Sequence, residues 1–151
     1  MRLRFKDGFL KRFLLIVNER EKKIFLINQK NRTLEDVFDA THALWDDRSE
    51  QLLLWNDFEI SVANPILKTR KLITRLSTPI TECAWHPKGT MIFYSTANEI
   101  TTAELDDRDS RNVTTLVKFT DINTLFVDRL HRTLRFVGSI GTQRGVYEKE
   151  L

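Results

Sequence analysis

Short runs of leucine, β-branched and aromatic residues recur along this chain at nearly even intervals, each closed by charged residues or by Gly, Pro, Asn or Asp. Runs of this length and chemistry predict strands, and the polar breaks predict the turns between them. The spacing places strands over 42–46, 51–56, 58–63 and 71–76, and again over 81–85, 90–96, 99–105 and 112–119. Asn98 predicts a tight turn between two of them, because Asn tolerates φ > 0. The end of the chain reads as three strands, 122–127, 132–138 and 145–151, and the start as 3–5, 12–18, 23–28 and 32–38. Leu34, Val37, Phe38 and Leu44 also fall near a helical period. Repeat register decides against that helix, because it puts an outer strand and then an inner strand over the same residues.

The repeat is visible at an offset of forty residues without a gap. It pairs Thr41 with Thr81, Trp45 with Trp85, Glu59 with Glu99, Ile60 with Ile100, Ala63 with Ala103, Thr74 with Thr114 and Leu76 with Leu116. Val127 stands where Trp85 stood, and Leu3 to Phe5 supply the inner strand of the first unit. A residue that fills the same gap in successive units must recur at the unit spacing, so Trp45 and Trp85 are expected at equivalent buried positions. Trp55 aligns with Ser95 and is therefore not required by the repeat.

The stretch Cys83-Ala84-Trp85-His86-Pro87-Lys88-Gly89-Thr90-Met91-Ile92-Phe93-Tyr94-Ser95-Thr96 resembles the WD-like repeat of TolB-type β-propellers, in which an aromatic and Ser-Pro-Asp-Gly precede a large apolar strand. Here His86 stands for the Ser and Lys88 for the Asp. Pro87 and Gly89 suit the tight turn. A period of about 40 to 45 residues fits propeller blades of four strands each. More loosely, the chain is similar to the propeller region of bacterial PEGA-domain proteins, which implies an extracytoplasmic or membrane-tethered setting. The expected fold is all-β: a partial β-propeller of about three and a half four-stranded antiparallel blades. It forms a single domain over 1–151, in units of about 1–38, 39–78, 79–120 and 121–151, as part of a larger propeller. The last unit holds three strands and the first uses Leu3 to Phe5 as its own inner strand, so a partner chain, a second copy or further blades are expected to cover the ends.

Composition changes this picture little. A net charge of +3 on 24 bases and 21 acids gives no basic stripe, so nucleic acid is not expected as a partner. No stretch approaches the roughly 18 apolar residues that span a bilayer, so this chain is not expected to insert into a membrane itself. A single cysteine excludes an internal disulfide and leans toward a reducing compartment.

Candidate chemistry is sparse. Cys83 aligns with Ala43 and reads as a small core residue rather than a nucleophile based by His42, His86 or His131. Those three histidines share no metal-ligand spacing. The run Asp106-Asp107-Arg108-Asp109-Ser110 has calcium-loop chemistry but lacks that loop's Gly and bidentate Glu, which leaves a solvated hairpin tip. No cofactor is expected. The function expected is a non-catalytic scaffold for protein–protein or cell-envelope contact, with Trp55, Phe58, His86 and His131 as candidate interaction residues. Trp45, Trp85, Pro87 and Gly89 are the structural repeat. The alternative is a propeller-type hydrolase using channel-facing carboxylates, for which Asp46 and Asp128 are the available acids.

Overall fold

The computed structural model describes residues 2–4 and 12–151, and among these every regular element is a strand. They run β1 (Arg2–Arg4), β2 (Phe13–Asn18), β3 (Lys23–Asn28), β4 (Thr33–Phe38), β5 (His42–Asp46), β6 (Gln51–Trp55), β7 (Glu59–Asn64) and β8 (Thr69–Arg75). They continue with β9 (Glu82–Trp85), β10 (Met91–Ser95), β11 (Glu99–Glu104), β12 (Val113–Lys118), β13 (Thr120–Asp128), β14 (Thr133–Ile140) and β15 (Gln143–Glu150). Each sheet is an antiparallel meander of neighbours in sequence: β1–β4, β5–β8, β9–β12 and the three-stranded β13–β15. The helix weighed over 32–44 is β4 and β5 instead. Phe5, the inner-strand counterpart of Trp45, lies outside the described residues.

The chain divides into two compact units, Met1–Arg75 and Leu76–Leu151. In the first, alternation does the sorting: Phe13, Leu15 and Val17 on β2 lie opposite Asn28, Leu26 and Ile24 on β3, and all six are buried. This face joins Phe38, Ala40, Leu52, Leu54 and Ala63 in one core. In the second unit Ala84, Phe93 and Ile100 pack with Ile122, Leu125, Leu134 and Phe136. Phe119 meets the Phe136 ring edge-on at 4.9 Å and the Tyr147 ring at 4.7 Å. Offset and edge-on rings add to the stabilisation from burial alone.

The forty-residue repeat survives as geometry. Thr41 donates its N–H to the Trp55 carbonyl at 3.0 Å, and Thr81 does the same to Ser95 at 2.8 Å. A register shift follows Ile60 between β7 and β8, and another follows Ile100 between β11 and β12. Trp45 lies opposite Leu52, Trp85 opposite Ile92 and Val127 opposite Leu134; Trp45 and Val127 stand one residue before the ends of their strands and Trp85 ends its own. Two expectations need correction. Thr74 lies opposite Ile60, but the residue opposite Ile100 is Val117, so Thr114 and Leu116 are not the counterparts of Thr74 and Leu76. The connection from β11 to β12 is longer than that from β7 to β8 and shifts the outer strand. Trp85 is buried at 2% exposure, whereas Trp45 is only half-buried against the first core.

Candidate interaction surface

Five hairpins share one polar device that the sequence reading missed. Asn18, Asn28, Asp46, Asn64 and Asp128 each end a strand, and each side chain accepts backbone N–H groups two or three residues on. Four residues after each stands Lys22, Arg32, Glu50, Lys68 or Arg132, all with φ between 53° and 56°. The side-chain acceptor closes the turn and the left-handed residue returns the chain to the next strand. The αL positions of these five hairpins are thus long charged residues, and Asn98, expected at φ > 0, is not among the positive-φ residues. Its hairpin is closed by Thr96, which bonds Glu99 through its N–H and accepts the Asn98 N–H through its hydroxyl.

The same device accounts for the two acids considered for hydrolysis. Asp46 is buried, and its Oδ2 accepts the Ser49 N–H at 3.2 Å and the Ser49 hydroxyl at 2.7 Å. Asp128 accepts the Leu130 and His131 N–H groups, both at 3.0 Å, and meets His131 Nδ1 at 2.7 Å. The backbone and ring bonds from His131 hold the Asp128 carboxyl below its ordinary range.

His86 occupies the strand-end place of Asp46, in the Pro87–Gly89 turn. Gly89 adopts φ 71° and donates its N–H to the His86 carbonyl at 2.9 Å, which a side-chain-bearing residue would do only under strain. The His86 ring is 7% exposed, lies 5.1 Å from the Phe93 ring, and accepts the Lys88 N–H at Nδ1. That bond places the ring proton of neutral His86 on Nε2. Burial, and then the charges of Lys88 and Arg132, push its pKa below 6.5.

The candidate interaction residues therefore separate. Phe58, in the β6–β7 turn, is 48% exposed, and His131 is exposed at the tip of β13–β14. Trp55 is 5% exposed and stacks on His42 at 5.1 Å, so neither it nor His86 offers an open surface. The reason is positional: Ser95, the counterpart of Trp55, is also sealed. Cys83 is buried on β9, and burial raises its thiol pKa well above 9.0. The acidic tip holds an open recess of about 330 Å³ lined by Glu104, Asp106, Arg108, Asp109 and Ser110. Arg108 grips both Asp106 carboxylate oxygens, at 2.6 Å and 3.0 Å, and keeps that carboxyl well below its ordinary range.

Comparison with known proteins is informative for the fold. No family model and no curated protein matches the sequence. Among solved structures, the Cps50 (Swd1) β-propeller domain of Myceliophteria thermophila matches over 99% of this chain and 55% of its own length, with TM-score 0.70 and 10% identity. The chain is a partial β-propeller. Its four sheets are blades, the last with three strands. Hydrazine synthase of Kuenenia stuttgartiensis matches over 92% of this chain and 43% of its own, with TM-score 0.69 and 13% identity. A mitotic checkpoint complex matches over 93% and 46%, with TM-score 0.67 and 11% identity. The chain thus spans about half the length of these structures, and at such identities the likeness is one of fold.

Proposed function

We propose that this blade array is a non-catalytic scaffold that presents its turns and outer strands to another protein. The observation that carries this reading is how the polar groups at the strand ends are used. Asp46, Asp128 and His86, which a channel-facing active site would need, each hold a turn by accepting backbone N–H groups. A carboxylate so engaged is a poor acid or base, because its lone pairs are committed and catalytic groups must reach the substrate. Large apolar side chains are meanwhile left outside, with Phe58 exposed in the first unit and Phe126 and Leu130 in the second. Aromatic and aliphatic anchors of this kind supply much of the energy of protein contacts.

The TolB-type stretch around Trp85 to Gly89 favours an envelope protein as the partner, and the looser PEGA resemblance favours a membrane-tethered parent outside the cytoplasm. Photo-crosslinking side chains placed at Phe58 and Leu130 in the parent protein test the reading. Cross-links to one defined protein, absent when the probe replaces the buried Trp55, are expected. Equal labelling at all three positions would refute it.

A further inference from the structure

Two turns of the second unit, 86–90 after β9 and 128–132 after β13, leave equivalent places in their blades. Trp85, opposite Ile92, precedes one, and Val127, opposite Leu134, precedes the other. The blades pack on each other, since Ala84 and Phe93 share a core with Leu134 and Phe136. Both turns are basic. Lys88 stands in the first and Arg129, His131 and Arg132 in the second, whereas the corresponding turn of the first unit, 46–50, holds Asp46, Asp47 and Glu50 against Arg48.

His86 has a second ring nitrogen that its own turn does not use. Nδ1 accepts the Lys88 N–H at 3.1 Å, so the proton of the neutral ring sits on Nε2. That N–H meets no acceptor among the described residues, and the ring keeps 7% of its surface open above Phe93. A ring so covered cannot pack against a partner, but an N–H at its edge can donate to a small ligand. Burial lowers the His86 pKa first, and the charges that act on it after that, Lys88 and Arg132, are both cations. Arg132, on the neighbouring blade, is thus close enough to act on this ring. Lys88 and Arg132 are exposed, and neither head group has an ion pair or hydrogen bond among the described residues. The one acid of the two turns is engaged elsewhere. Asp128 accepts the Leu130 and His131 N–H groups and meets His131 Nδ1 at 2.7 Å.

We propose that His86 Nε2, Lys88 and Arg132 form a site for a phosphate dianion, carried on a free ester or on a phosphorylated side chain. The three groups are an imidazole N–H, an ammonium and a guanidinium, which offer donors and no acceptor. Ionised phosphate offers acceptors, and two cations match its charge. A carboxylate would leave one cation unmatched, and a metal ion would be repelled. The planar fork of Arg132 suits two phosphate oxygens, and Lys88 adds a compact charge. The His86 N–H is directional and shielded from water on one side, which strengthens its bond to an anion. The site goes beyond the scaffold reading, because a free ion tests it with no partner present.

Histidine-ring NMR during titration with inorganic phosphate, at fixed ionic strength and slightly above neutral pH, is the test. The His86 signals, assigned from a folded His86→Asn variant, should shift and saturate. Lys88→Gln and Arg132→Gln should each weaken binding about tenfold, the low end for a hydrogen bond to a charged group. Arg132→Lys should recover part of that loss, and Arg144→Gln, which alters an arginine outside both turns, should change nothing. Circular dichroism confirms that each variant stays folded. Tighter binding of a phosphoserine peptide than of glycerol phosphate would place the dianion on a protein and the reverse on a free ester, and either supports the site. No saturable shift, an equal shift with acetate or chloride, or binding unaltered by both Lys88→Gln and Arg132→Gln would each overturn it.

Discussion

Replacing Arg32 by Gly should stabilise the protein, although Gly normally weakens a fold. Arg32 is exposed and holds φ 56° in the turn that Asn28 closes. An L-residue in the left-handed region costs about 1 to 2 kcal/mol, which Gly avoids. Gly in turn gives the unfolded chain more freedom, worth about 0.5 to 1 kcal/mol against the fold. The net expectation is a gain of about 0.5 to 1 kcal/mol. Lys30 is the internal control: it lies in the same turn, outside the positive-φ set, so Lys30→Gly should lose about 0.5 to 1 kcal/mol. Arg32→Val, with a branched Cβ, should be the worst of the three. Urea unfolding followed by far-UV circular dichroism ranks them. If Arg32→Gly is no better than Lys30→Gly, the left-handed turn and the cap that sets it are wrong.

Trp85→Ala should cost about 3 to 5 kcal/mol, the range for a sealed large aromatic, and Trp45→Ala clearly less, because Trp45 keeps part of its ring in water. Chemical denaturation of both variants, read by circular dichroism, would contradict this if the two losses were equal. The His86 pKa is depressed in the fold, so below 6.5 the unfolded chain takes up the proton first. Its contribution to stability is therefore present above that value and is lost as pH falls through the folded-state pKa. Urea midpoints between about pH 5 and about pH 8 should rise with pH, and His86→Asn, a cap used elsewhere in this chain, should flatten the rise. An unchanged slope in the variant would refute the assignment.

The hairpins at 42–64 and 82–104 were legible in the sequence because both cross their turns in the same number of residues. Their outer strands were not, because the residues between Glu104 and Val113 lengthen one connection and the ungapped alignment cannot register it. Exposure was less legible than register. Comparison with Ser95 shows only that the repeat does not require Trp55, which leaves both a surface and a buried aromatic open; both residues sit at a strand end whose carbonyl binds a Thr N–H, and both are covered. The signal for the turns was present: Asn or Asp followed four residues later by Lys, Arg or Glu occurs at Asn18, Asn28, Asp46, Asn64 and Asp128. It was passed over because long charged residues are not usual left-handed residues. The exposed His131 was legible as a turn residue, whereas Phe58, read as the first residue of a strand over 58–63, lies in the turn before β7, and the covered ring of His86 depends on Phe93 packing beneath it.

The most direct test of the scaffold reading is turnover. The protein, assayed against a panel of glycoside, ester and peptide substrates beside Asp46→Asn and Asp128→Asn variants shown to be folded, should give no activity in any form. Turnover by the wild type that either substitution abolishes would contradict the account and make those two carboxylates catalytic.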